Sequence, residues 1–215
     1  MKVALVTGSS QGIGQAIALD LEKHGYMVIG NNRTTGVDVT QVDSVAQLIE
    51  TISQQPGQLD VLINTVGDLG PYQPLPEYSW ADFQQVIASN LYSVQLCIQA
   101  ATELLRASHG RIINFACAEA EFSLPRKYTV PYYIAKQGVV TLTKSWAAAL
   151  AADGVTVNAI APGIVENSQI TLATPMNRPA SFNDILGAVH YLLSPAANYV
   201  SGAIITVSGG WSSTL

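Results

Sequence analysis

Short apolar runs alternate with longer stretches of helical period along all 215 residues. This alternation constrains the fold more than any other feature of the chain. KVALVT (2–7), YMVIGN (26–31), VDV (37–39), LDVLIN (59–64), RIINFA (111–116), VTVNAIA (155–161) and AIITV (203–207) read as strands. Between them, GIGQAIALDLEKHG (12–25) carries Ile13, Ile17 and Leu21 at four-residue steps and stops at Gly25, a helix with a glycine end signal. SVAQLIETISQQ (44–55), a long region from Ser79 to Arg106, Tyr132 to Ala152 and roughly 181–193 read as further helices. Strands that are apolar throughout are buried on both faces, and helices between them cover those faces. The expectation is a single α/β domain over 1–215: a doubly wound, mostly parallel, seven-stranded sheet with helices on both faces. No linker, repeat or low-complexity segment interrupts it.

Composition removes several classes of function. The chain is 48% hydrophobic and 12% charged, which suits a large core and excludes disorder. Its net charge of −5 and lack of any basic stretch exclude a nucleic-acid partner. Cys97 and Cys117 form neither a CxxC pair nor a metal-ligand spacing, which fits a reducing compartment. The apolar run in MKVALVTGSS is too short for a signal peptide, and no other run is long enough to span a bilayer. The expectation is a soluble, cytoplasmic protein with no membrane partner.

Two stretches carry chemistry. The first strand runs into TGSSQGIG, with Gly8, Gly12 and Gly14 spaced G-x-x-x-G-x-G. Glycines there let the backbone turn tightly and approach a pyrophosphate seated on the next helix's N-terminus, although the same spacing also serves a plain strand-to-helix turn. In PYYIAKQG (131–138), Tyr132 and Lys136 are four apart and Tyr133 and Lys136 three apart. Both spacings share a helix face, so spacing alone does not choose between the tyrosines.

Taken in order, these residues resemble the short-chain dehydrogenases/reductases over nearly the whole chain. TGSSQGIG is similar to the family's TGxxxGIG, Asp38-Val39 to its adenine-contacting pair, and NTVG (64–67) to its NNAG. Asn90 stands at the family's catalytic asparagine and YYIAK supplies YxxxK. VNAIAPGIVEN (157–167) is similar to its NxxxPG segment, and SGAIITVSGGW to its last strand and turn. The resemblance implies a Rossmann fold and a hydride transfer between a nicotinamide and a carbonyl or imine. It also chooses Tyr132, four before the lysine, as general acid/base. Lys136 is then expected to lower the phenol's pKa from about 10 and to bind the nicotinamide ribose. Asn90 is expected to hold a water leading to Lys136. The implied cofactor contacts are Gly8, Ser10, Gln11, Gly12, Ile13, Gly14, Asn32, Arg33, Asp38, Val39, Asn64, Gly67, Tyr132, Lys136, Pro162, Gly163, Ile164 and Val165. The last two should meet the carboxamide through backbone groups. Members of the family also lead one to expect a homo-oligomer, dimer or tetramer.

The chain departs from the family at several points. Cys117 stands where the family keeps a catalytic serine, and a thiol is a weaker donor than a hydroxyl. The stretch from Cys117 to Tyr132 is about two residues longer than usual. Cys117 is therefore read either as a substrate contact or as buried filler, and Ser123 as a candidate for the serine's role. Pteridine and dihydromonapterin reductases, which act on ring imines, also lack that serine, and IINFACAE and VIGNNRT resemble them. No acid follows the second strand. Arg33 there points to NADP(H), while Gln11, where many NADP members keep a base, leaves NAD(H) possible. The helix usually joining strands two and three is missing. The substrate loop at about 164–180 is short, and Asn167 replaces a usual threonine. Tyr72, Phe122, Tyr133 and Trp211 are aromatics expected near the mouth. Against the enzyme reading stand a cofactor-sensing module and a structural subunit, both favoured by the missing serine.

Overall fold

The computed structural model describes residues 1–31, 36–122, 124–168 and 173–211. Six strands form one sheet: β1 (Val3–Thr7), β2 (Met27–Asn31), β3 (Val61–Asn64), β4 (Arg111–Phe115), β5 (Thr156–Pro162) and β6 (Ile204–Val207). Their order is β2-β1-β3-β4-β5-β6 and every pairing is parallel. The helices are α1 (Gly12–Lys23), α2 (Val42–Gln54), α3 (Trp80–Ile87), α4 (Ser93–Ser108), α5 (Val130–Leu150) and α6 (Phe182–Leu193). None of the described helices is long and apolar enough to cross a membrane.

Strand side chains alternate between two cores, as a sheet covered on both faces requires. Leu5, Leu62, Ile112 and Val157 enter the core beneath α2, α4 and α5. Ala4, Val6, Ile63, Ile113 and Ile160 enter the core beneath α1 and α6.

The seventh strand expected at 37–39 is absent. Five residues separate Asn31 from Val37, fewer than the ten or so that a parallel crossover needs. From Gly36 onward the chain turns into α2 without a strand. Asn31 Nδ2 donates to Val37 O at 3.2 Å, and Asp38 Oδ1 accepts from the Thr40 amide at 2.9 Å and its hydroxyl at 2.7 Å. Val39 is buried under α2.

The single helix expected from Ser79 to Arg106 is broken by a π-helical turn, Ala88–Tyr92. Side chains compete there for the helix's own carbonyls. Asn90 Nδ2 takes Val86 O at 2.9 Å and Ser93 Oγ takes Ser89 O at 2.6 Å.

After β1 the chain goes to β2 on one side of it, and after β2 to β3 on the other. The crevice above the β1/β3 boundary is therefore the switch point where such sheets bind ligands. Gly8 lies at its rim with φ +70°, a region open to glycine. A Cβ added to Gly14 would strike Gly8 O and Thr65 Oγ1. Gly14→Ala is expected to lower stability by about 1–3 kcal/mol through overpacking, read by urea denaturation, where an unchanged midpoint would contradict this packing.

Candidate active site

The carboxyl ends of β1, β3, β4 and β5 surround this crevice. Gly8 and Gly12 both have positive φ, +70° and +58°, and turn the chain from β1 into α1. Gln11, the residue capping α1, supplies no side-chain cap, so the first amides of α1 keep no side-chain partner. Ser10 and Gln11 are exposed and Ile13 packs on the α1/α6 core. A Cβ on Gly12 would lie 2.7 Å from Asn167 Nδ2, which places the substrate loop's amide over the glycine turn. A nicotinamide dinucleotide is the cofactor that such a fold implies. The residues present fit it: bare backbone amides at a helix N-terminus and an amide donor facing them suit a diphosphate.

Other expected cofactor contacts are placed as follows. Asp38 is exposed at the start of α2, with one carboxylate oxygen held by Thr40. Asn64 ends β3, buried, and donates to Asn114 Oδ1 at 2.9 Å. Asn114 in turn donates to Thr143 Oγ1 at 3.0 Å, which ties β3 and β4 to α5. Pro162 is buried at the end of β5, and Gly163 packs so closely that a Cβ would lie 2.8 Å from Ser208 Cβ. Ile164 O accepts from Ala180 N at 2.8 Å. The Val165 amide is already donated to Ser168 Oγ at 2.9 Å, so of the two expected carboxamide contacts only Ile164 offers its N–H. Asn32, Arg33 and Ser123 lie outside the described residues.

α5 begins at Val130 and brings Tyr132 and Lys136 under the end of β4. Lys136 is 4% exposed and donates to Phe115 O at 2.8 Å, with Nζ 5.6 Å from the Tyr132 ring centre. Burial lowers its pKa from 10.5 to about 8. Burial also pushes the Tyr132 phenol well above 10, with Cys117 and Tyr133 acting in the same sense. The lowered phenol pKa expected at this site draws on the positive charge of an oxidised nicotinamide as well as on Lys136. The protein's own groups thus keep Tyr132 a neutral phenol at pH 7, while Lys136 uses one of its three N–H donors on Phe115 O.

Asn90 is fully buried in the π-turn. Its Nδ2 donates to Asp68 O at 2.7 Å and to Val86 O, while Oδ1 has no hydrogen-bond partner. A Cβ on Gly67 would lie 2.6 Å from Asn90 Oδ1 and 3.3 Å from Lys136 Nζ. The bare Gly67 therefore lets this orphan acceptor and the ammonium face the same open side of the glycine.

Cys117 is 9% exposed and close enough to Tyr132 that each group raises or lowers the other's acidity. Burial raises the thiol to about 11, so it is protonated at neutral pH. Ala118 N donates to Pro162 O at 2.8 Å and anchors the loop, and the extra residues bulge beyond that anchor. Within the bulge Arg126 pairs with Glu119 at 2.8 Å, and its guanidinium lies 4.1 Å from the Tyr133 ring centre. Both walls of a cavity of about 190 Å³ come from this loop and from Tyr133, Ile134 and Gln137 of α5. Glu119 and Arg126 were not singled out from sequence; the only signal was the loop's extra length. Tyr72 stacks on Tyr128 at 4.8 Å, Phe122 lines the cavity, and Trp211 is half-buried after β6.

Fold and site together define a doubly wound dinucleotide-binding protein with an asparagine, tyrosine and lysine converging at one strand end. Comparison with known proteins agrees. A family model described as enoyl-(acyl carrier protein) reductase matches residues 29–212. The 3-oxoacyl-[acyl-carrier-protein] reductase FabG of Staphylococcus aureus is 36% identical, the alignment covering 97% of each chain. The 2-dehydro-3-deoxy-D-gluconate 5-dehydrogenase of Bacillus subtilis is 34% identical, over 98% of this chain and 94% of its own. A Sinorhizobium meliloti protein described as a short-chain alcohol dehydrogenase superposes with a TM-score of 0.88 at 28% identity, covering 97% of this chain and 95% of its own. ElxO with NADP bound superposes with a TM-score of 0.88 at 26% identity, covering 97% and 98%. The chain belongs to the short-chain dehydrogenase/reductase family.

The buried ammonium makes stability depend on pH. Between about pH 8 and 10 the unfolded chain holds Lys136's proton and the folded chain does not, so folding gains as pH rises through that window. The penalty below pH 8 is on the order of 3 kcal/mol. Replacing Lys136 with methionine is expected to raise Tm at pH 7 and to lose that advantage by pH 10. A difference that stays constant across this range would show that Lys136 is not desolvated.

Proposed function

We propose that the protein is an NADP(H)-dependent oxidoreductase that passes a hydride between nicotinamide and a carbonyl or ring-imine carbon, with Tyr132 as proton donor and acceptor. The observation that carries this reading is the convergence of Tyr132, Lys136, Asn90 and Cys117 at the carboxyl end of β4. Bound nicotinamide supplies the hydride. The chain's residues do the rest. The first amides of α1, with Gly8, Gly12 and Asn167, hold the diphosphate. Asp38 and Val39 meet the adenine, Arg33 the 2′-phosphate, and Lys136 the ribose.

In the direction of reduction, the neutral phenol of Tyr132 gives its proton to the substrate oxygen or nitrogen as the carbon gains hydride. A new C–H bond and a new O–H or N–H bond replace one π bond, and the tyrosinate left behind is stabilised by Lys136. The proton is restored through Lys136 and the polar point that Asn90 Oδ1 and Gly67 define. FabG's name points to 3-oxoacyl thioesters as the first carbonyls to try, and the missing serine to dihydropterins as the first imines. A homodimer or homotetramer in the cytoplasm completes the proposal.

Tyr132→Phe is expected to lower kcat by about 10²–10⁴-fold while NADPH affinity stays nearly intact, because only the proton donor is lost. Tyr133 touches Arg126 and the cavity, and Tyr133→Phe is expected to be mild. NADPH oxidation with a panel of ketones, 3-oxoacyl thioesters and dihydropterins, with binding measured separately, checks both. The reverse ranking would reassign the acid.

Cys117 offers a thiol where a hydroxyl would donate more strongly. Cys117→Ser is expected to raise kcat/KM on simple ketones several-fold, and Cys117→Ala to cost about 1 kcal/mol of stability through lost burial. Unchanged or lower ketone activity in Cys117→Ser would remove the side chain from substrate contact. No turnover on any panel member, with intact NADPH binding, would favour a cofactor-sensing protein.

A further inference from the structure

Asp20 and His24 lie one turn apart near the end of α1, and His190 reaches them from the last turn of α6. Each of the three can present one ligand atom so that all lie within 4.8 Å of one another. We propose that Asp20, His24 and His190 form a binding site for a divalent transition metal of the Zn²⁺ class, clamping α1 to α6.

Three observations carry this. Asp20 Oδ2 is buried yet has no hydrogen-bond partner. His190 Nε2 approaches it at 2.9 Å and His24 Nδ1 at 3.5 Å, short approaches that do not satisfy the oxygen as hydrogen bonds. A carboxylate oxygen taken out of water in that way is stabilised by a cation. The second observation is orientation. His24 Nδ1 hydrogen-bonds Asp20 O at 2.8 Å, and a carbonyl can only accept, so this nitrogen carries the proton. In that tautomer Nε2 keeps the lone pair that would ligate, and the 3.5 Å approach of Nδ1 gives the nearness of the ring, not a ligand distance. The third is the ring geometry: the two imidazoles meet edge to face with centres 4.7 Å apart, so both can address one point without stacking.

The donor set selects the metal. Two imidazoles and a carboxylate leave a fourth, open position to water, which is Zn²⁺ geometry, whereas Mg²⁺ and Ca²⁺ prefer all-oxygen shells. Location assigns the role. Asp20 is eight residues along α1 from Gly12, about 12 Å from the cofactor loop. The ion is therefore structural, and it joins two helices that cover the same face of the sheet.

Tag-free protein stripped with EDTA is titrated with Zn²⁺ by calorimetry and with Co²⁺ by absorption. The expected results are one ion per chain, a rise in Tm with Zn²⁺ but not Mg²⁺, and the intense visible bands of four-coordinate Co²⁺. His24→Gln and His190→Gln should each weaken Zn²⁺ by about 10-fold or more, loss of a ligand being at least as severe as loss of a supporting partner. His109, the chain's third histidine, bonds Asp153 O elsewhere, and His109→Gln should leave binding unchanged. Absence of saturable Zn²⁺ binding, binding that survives both substitutions, or a thiolate charge-transfer band from the cysteines would overturn the site.

Discussion

An ammonium group held under the end of β4 is the constraint around which the site is arranged. Lys136 is almost completely buried, and the lowered pKa records what that burial costs. The cost is tolerated because α5 is anchored independently. Val139, Val140 and Leu150 sit in the larger core, and Thr143 closes the Asn64–Asn114 chain of buried amides. That chain fixes the height of α5 against β3 and β4, and so fixes where Tyr132 and Lys136 stand. Gly67 then has to be bare, since any side chain there would occupy the space between the ammonium and Asn90. A buried charge, a glycine and an irregular helix are thus one structural decision.

Much of this was legible in the chain, for local reasons. Apolar runs identify β1, β3, β4 and β5 because both faces of each are buried, and the four-residue step identifies α1 and α5. Helix spacing made Tyr132 and Tyr133 equally legible as partners of Lys136, and only the resemblance to YxxxK singled out Tyr132. The π-turn at Asn90 was not legible. It depends on a carbonyl, Asp68 O, 22 residues away, and on the side chains of Ser89, Asn90 and Ser93 competing for the carbonyls of Val86 and Ser89. The third strand failed for the converse reason. VDV has strand-like residues, but strand propensity cannot act where the chain is too short to return beside β2.

Cys117 shows where residue types mislead. Loop length alone does not fix where this side chain points, whereas the anchor from Ala118 to β5 holds it beside Tyr132. The extra residues form instead a cavity wall, pinned by the Arg126–Glu119 ion pair across seven positions. No periodicity marks such a pair, because a loop has none.

The directness of the passage from β2 to α2 has a consequence for solubility. Among the described residues β2 is an outer strand, and an outer strand carries unpaired backbone groups that can recruit another chain. This one is a poor template. It is five residues long, Gly30 weakens it, and the Asn31 side chain folds over its far end to hold Val37 O. At the opposite edge β6 has only four residues. The sheet has given up a strand without leaving a long, flat margin for another molecule to extend.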